Sequence, residues 1–232
     1  MPALWTRAGG RWLAAGLLGL AHPAAAQLLL PAATATPPQV LAIKAAVLPL
    51  LARGYQLSLE KAWGQHYQQS LSLTPQLYYG PVSNTTSEPS EGGRDQVRGA
   101  GLDVQYRRYL SLRARPLAGL YVAGGPQLQR FKVDFQARSW QPEPGPNGLL
   151  YYQYLLADQT ETITRLGATA VVGKQMVLDN TPLVIDLFVG LGWRAAWTST
   201  SALPAGRYAS GMSNYGSAGF FLPVGIKVGL VL

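Results

Sequence analysis

Eight charged residues stand at alternating positions inside stretches that are otherwise short of charge: Lys44, Glu60, Asp103, Arg107, Arg165, Asp186, Arg194 and Lys227. Five are basic and three acidic, and their mixture of signs allows three kinds of chemistry. The cations and anions can neutralise one another as a structural lumen network. They can line a narrow ion path. The three carboxylates, Glu60, Asp103 and Asp186, can work as an acid–base set, although each has Arg and Lys candidates nearby as structural partners. Pairing is the expected use, because an unpaired buried charge costs several kcal/mol.

Other chemistry finds little support in the residues. There are two histidines, His22 and His66, and no cysteine. Without cysteine there is neither a disulfide framework nor a thiolate metal site. A serine-type site needs a His beside a Ser and a carboxylate. His22 falls in a leader segment and His66 in a polar turn. No phosphate-binding loop, HExxH or GxSxG motif occurs, so no catalytic, cofactor-binding or metal residue is assigned. The expectation is a protein that is not an enzyme and uses no cofactor, with a lipid-modifying barrel enzyme as the alternative.

The elements that must hold the charges read as β-strands, because side chains alternate across a strand. Eight are expected, at about 39–51, 54–62, 68–80, 99–109, 118–135, 161–174, 183–195 and 220–232, with ten as the alternative if residues 149–158 pair as additional barrel structure. The third is the clearest, with Leu71, Leu73, Leu77 and Tyr79 against Ser70, Ser72, Thr74, Gln76 and Tyr78. In the last, Phe220 to Leu232 gives one wholly apolar row and a second row of Phe221, Pro223, Gly225, Lys227, Gly229 and Val231. The fifth carries Leu120 and Val122 at even positions but Phe131, Val133 and Phe135 at odd ones, so a β-bulge at Gly124-Gly125-Pro126 is expected to switch the row. Long polar loops are expected at 81–98, 136–158 and 198–218. In the second of these, Trp140, Tyr151, Tyr152 and Tyr154 form a candidate surface contact for an external ligand or protein. Tyr55, Trp63, Tyr67, Tyr79, Tyr109, Trp193 and Trp197 fall near strand ends, where interfacial girdles belong.

Composition agrees with strands that face lipid. Charged residues are 13% of the 232-residue chain, about half the usual share of roughly 25%. No apolar run reaches the ~18 residues of a membrane helix. Arg7 and Arg11, the apolar core Trp12 to Ala21 and Ala24-Ala25-Ala26 read as a secretory signal peptide over 1–26, cut before Gln27. A flexible lead-in over 27–38 and an all-β, antiparallel up-and-down transmembrane barrel over 39–232 follow. From the second connection onward, short and long loops alternate, as when short turns face the periplasm and long loops the exterior. The net charge of +8 comes without a basic cluster and gives no argument for nucleic acid. A narrow channel or transporter and a soluble lipocalin-like carrier are the competing classes. The carrier would place its apolar residues inside.

The stretches GYQLSLEKAW (54–63), SLSLTPQLYYG (70–80), GLDVQYRRYL (101–110), PLAGLYVAGGPQLQRF (116–131), LVIDLFVGLGWR (183–194) and PVGIKVGL (223–230) resemble an uncharacterised family of Gram-negative outer-membrane β-barrel proteins. That family is similar in shape to the small eight-stranded OmpA/OmpX-like barrels. The resemblance implies a Gram-negative outer-membrane location and two partners, outer-membrane lipid and the barrel assembly machinery. It carries no catalytic residues. Such barrels commonly end in an aromatic residue, whereas this chain ends in Leu232.

Overall fold

The computed structural model describes residues 40–64, 67–82, 90–110, 116–200, 208 and 214–232. The signal-peptide reading over 1–26, the lead-in over 27–38 and His66 lie outside the described residues. Among the described residues, alternating apolar and small or polar residues form nine strand segments: β1 (Leu41–Ala46), β2 (Gly54–Trp63), β3 (Gln69–Pro81), β4 (Gln96–Tyr109), β5 (Gly119–Pro144), β6 (Leu150–Val177), β7 (Leu183–Thr200), β8 (Gly219–Phe221) and β9 (Val224–Val231). Every pairing is antiparallel. Strands β1 to β7 pair in sequence order. β9 then joins β7 to β1 and closes a hydrogen-bonded ring.

Nine segments replace the eight expected strands because Pro223 interrupts the last one. β8 and β9 share one register on β7, with Gly192 opposite Phe221 and Val189 opposite Val224. Proline has no N–H to donate, but its carbonyl still accepts from Gly190 N at 2.9 Å. The expected first strand is also shortened. After Ala46 the chain enters a 3-10 turn over Leu48–Ala52, with Pro49 in its first turn, and Arg53 leaves that turn at φ 56°.

Two further expectations are corrected on β5. First, there is no bulge. β5 keeps one register on β4 from Tyr109↔Tyr121 to Gln96↔Asp134, and one on β6 along its whole length. Gly125 marks a close approach of backbones instead, since a Cβ there would lie 1.8 Å from the Val104 carbonyl oxygen. Second, residues 136–158 are not a long loop. They are the far halves of β5 and β6, which pair up to Pro144↔Leu150 around a short turn with Gly148 at φ 76°. β4 stops pairing at Asp134 and β7 at Glu161, so the remainder is a two-stranded ribbon standing beyond the ring.

The absent bulge means that the odd side chains of β5 face inward throughout. Their surroundings change along the strand instead. At lower levels the outside is apolar, with Leu128 51% exposed, and the inside is polar. Beyond that level Phe131 is fully buried, while Arg130 and Lys132 face outward. Phe131, Val133 and Phe135 join Tyr78, Val82, Val97, Ile163, Tyr208 and Tyr215 in an apolar core. A second apolar cluster, including Ala42, Ala62, Tyr109, Leu117, Tyr121, Val184 and Val231, closes the opposite end.

Candidate functional site

Between the two apolar clusters the inward rows carry the charges. Lys44 on β1 and Glu60 on β2 are fully buried, as are Arg107 on β4 and Asp186 on β7. Each strand presents its charge from the row that faces the axis, and the four meet in a closed circuit of alternating sign. Lys44 Nζ donates to Glu60 Oε2 and, at 2.9 Å, to Asp186 Oδ2. Arg107 Nη1 lies 2.7 Å from Asp186 Oδ2 and 3.3 Å from Glu60 Oε2. The remaining carboxylate oxygens are also satisfied. Tyr109 Oη and Ser70 Oγ donate to Glu60 Oε1, the tyrosine at 2.8 Å, and Tyr121 Oη donates to Asp186 Oδ1 at 2.6 Å. Gln175 Oε1 accepts from Lys44 Nζ at 2.7 Å, and the Arg107 guanidinium stands 4.6 Å from the Tyr121 ring centroid. The quartet is neutral as a unit, and every carboxylate oxygen in it is occupied by this chain's own donors. Chemically it is a staple across four strands.

The other four charges do not join it. Lys227 and Asp186 are direct cross-strand partners, but Lys44 occupies the aspartate. Lys227 Nζ donates instead to Ser58 Oγ at 2.8 Å and Thr74 Oγ1 at 3.4 Å, and stands 5.6 Å from the Phe188 ring centroid. Asp103 accepts from Gln105 Nε2 at 3.3 Å and lies beside Thr74 on the neighbouring strand. Arg165 donates to Gln129 Oε1 and stacks on Phe131 at 4.6 Å. Arg194 Nε donates to the Ser217 carbonyl at 2.9 Å, and its guanidinium lies 4.6 Å from the Phe221 ring centroid. Gln76, Tyr78 and Gln129 fill the interior near Arg165 with amide and phenol bonds. The expected eight-member set is therefore one paired quartet, three separate cations held by hydroxyls, amides, a backbone carbonyl and rings, and Asp103 held by Gln105. Asp103 is not brought together with Glu60 and Asp186. Among the described residues no group of three or more His, Cys, Asp or Glu is arranged to hold a metal ion.

Because Lys227 has hydroxyl partners that also bond each other at 2.8 Å, Lys227→Met is expected to cost only about 1 kcal/mol, the value of one ordinary hydrogen bond. Urea unfolding followed by tryptophan fluorescence would check this. A loss as large as that from removing a quartet member would mean that Lys227 has a carboxylate partner after all.

Sequence reasoning missed Tyr109, Tyr121, Ser70 and Gln175, which complete the quartet. Tyr109 falls two residues after Arg107 on the same inward row, so parity alone could have found it. Its place near a strand end suggests an interfacial aromatic, yet it is 4% exposed. Gln175 lies one residue past the expected end of the sixth strand.

The aromatic set divides between the two faces of the ribbon. Trp140 and Tyr154 are direct partners with ring centroids 5.4 Å apart, and Tyr152 follows on the same outward face. Tyr151 alternates to the other face, where its hydroxyl bonds the Asn147 side chain at the turn.

No family model matches the chain, and a search of curated proteins found no match either. Among solved structures it is similar to the crystal structure of Acinetobacter baumannii CarO, with 10% sequence identity and a TM-score of 0.40, over 84% of this chain and 98% of that one.

Proposed function

We propose that this chain is an integral outer-membrane β-barrel protein of structural or surface-interaction type, with eight membrane-crossing staves and an interior filled by its own side chains. The observation that carries this reading is the inversion of polarity along the strands. Over one band, leucines, valines and isoleucines point outward around the whole ring while Lys44, Glu60, Arg107 and Asp186 point inward. A soluble carrier would have the opposite arrangement. Beyond the band Phe131, Val133, Phe135 and Ile163 are buried, together with the carboxylates of Glu161 and Asp95, while Arg130 and Lys132 face outward, as expected where lipid gives way to water. Outward charges stay at the margins of the band: Lys61, Arg108 and Lys174 at one, Arg98, Arg130 and Lys132 at the other. An Arg or Lys within such a band would cost roughly 2–4 kcal/mol at its midplane.

The interior favours a filled barrel over a pore. A ring of about eight strands is only wide enough for side chains to fill it, and here an apolar cluster closes each end of a hydrogen-bonded middle. The ribbon, with Trp140, Tyr152 and Tyr154 on one exposed face, is the part that would meet an external partner. Outer-membrane lipid and the barrel assembly machinery are the partners that this reading requires.

Expression with export, followed by an alkaline wash of the membranes, tests the reading. The protein should stay with the membranes, need detergent for release, and migrate faster on gels unboiled than boiled. Planar bilayers containing it should show no channel events. Release into buffer without detergent would overturn the membrane assignment, and steady unitary currents from pure protein would overturn the filled interior.

A further inference from the structure

The margin of the apolar band on β3 to β7 is not evenly polar. Three outward rows can be followed across these strands by their pairing. The first is Pro75, Leu102, Leu128, Leu166 and Ala195, and it carries no charge. The next is Leu77, Ala100, Arg130, Thr164 and Trp197, and the one beyond is Tyr79, Arg98, Lys132, Thr162 and Ser199. Within two rows of wholly apolar surface the sheet therefore presents three cations, flanked by threonine hydroxyls and bordered by Tyr79 and Trp197.

The cations are placed against their own electrostatics. Arg98 and Lys132 are direct cross-strand partners, and Arg130 is diagonal to Arg98 on the same face. Like charges in those positions repel. Lys132 has some relief from Asp134 Oδ1 at 3.5 Å. Among the described residues, no carboxylate lies within ion-pair distance of Arg98 or Arg130. The other margin also carries cations, but Lys61, Arg108 and Lys174 stand on three different strands, none of them next to another in the ring.

We infer that Arg98, Arg130 and Lys132 form a seat for the phosphate groups of an outer-leaflet lipid whose headgroup carries phosphate monoesters. The inference rests on the membrane reading above. A phosphate monoester accepts several charge-assisted hydrogen bonds, and guanidinium groups match its geometry in pairs. The apolar row just below gives the lipid's chains a surface continuous with the seat. Thr162 and Thr164 offer hydroxyls to the headgroup's uncharged oxygens. The occupant is a lipid rather than free phosphate, because the cations lie at the edge of the acyl surface and face away from the ring.

Native mass spectrometry of the detergent-solubilised, folded protein tests the seat, with bis-phosphorylated lipid A, its dephosphorylated form and phosphatidylcholine as probes. Wild type should retain lipid A and lose most of that retention when the phosphates are removed. The R98Q/R130Q/K132Q variant should bind lipid A about tenfold more weakly or worse while still folding, as judged by gel mobility. K61Q/R108Q/K174Q should bind as wild type does. Equal retention of both lipid A forms, or an unchanged triple variant, would overturn the seat and leave the membrane reading intact. A wild-type protein that enters no bilayer, including pure phosphatidylcholine, would bring down both.

Discussion

Arg107→Met is expected to lower the stability of the folded ring by about 3–5 kcal/mol, the cost of removing one partner from a buried ion pair. The size follows from what remains. Glu60 and Asp186 would both stay fully buried with Lys44 as their shared cation. Tyr109, Tyr121 and Ser70 would still donate to them, but hydroxyls do not cancel a net negative charge. Removing an anion as well should return much of the loss, so R107M/E60Q is expected to be more stable than R107M alone. Equilibrium urea unfolding in lipid vesicles, read by tryptophan fluorescence and gel mobility, gives both quantities. If the double variant were as unstable as the two single losses combined, the quartet would not be acting as one unit.

Gly229→Val should prevent the ring from closing. A Cβ at Gly229 would lie 1.9 Å from the Ile43 carbonyl oxygen and 2.6 Å from the Lys44 Cα. Both obstacles are backbone, so no side-chain rotation can make room. The contact falls on the β1–β9 seam, where β1 is only six residues long. Overpacking a well-filled site commonly costs 1–3 kcal/mol, and this one should reach about 3 kcal/mol or more because backbones must separate. The readout is loss of the fast-migrating unboiled form together with new protease sensitivity. Val228→Leu, a neighbour on the outward row, should leave both unchanged. If Gly229→Val kept the folded band, β1 and β9 would not be paired as described.

Much of the ring was legible in the chain, because period-two alternation is a local signal. Ser70 to Tyr79 declares a strand without help from its neighbours, and the row from Lys44 to Ala46 declares its faces within three residues. What could not be read locally was the register of one strand against the next. Lys227 has Asp186 directly opposite, yet that carboxylate is taken by Lys44 from the adjoining strand. Such a choice depends on register around the whole ring. The ribbon is expected as a loop, with pairing of 149–158 only as the alternative, for a different reason. Gln141, Pro142, Glu143 and Pro144 have turn-like composition, but pairing with the aromatic run from Tyr151 to Tyr154 holds them extended, a case of cross-strand partners overriding intrinsic preference. The expected bulge came from reading an apolar residue as always facing outward. That rule holds for Leu120 and Val122, which are exposed, and fails for Phe131, which is fully buried in an apolar cluster.

The seam also sets an order of events. Most neighbouring strands in the ring are joined by nearby chain, so their loops close at small entropic cost. β5 and β6 are joined by a short turn and share the longest run of pairs among the described residues. β1 and β9 differ: Ala42 meets Val231, and almost every described residue lies between them. Contacts of that sequence separation form late, after local pairing has brought the ends near each other. Until Val231 has been synthesised and delivered, the first and last strands are open edges. The growing chain can hold hairpins, but the ring has no partial version of itself.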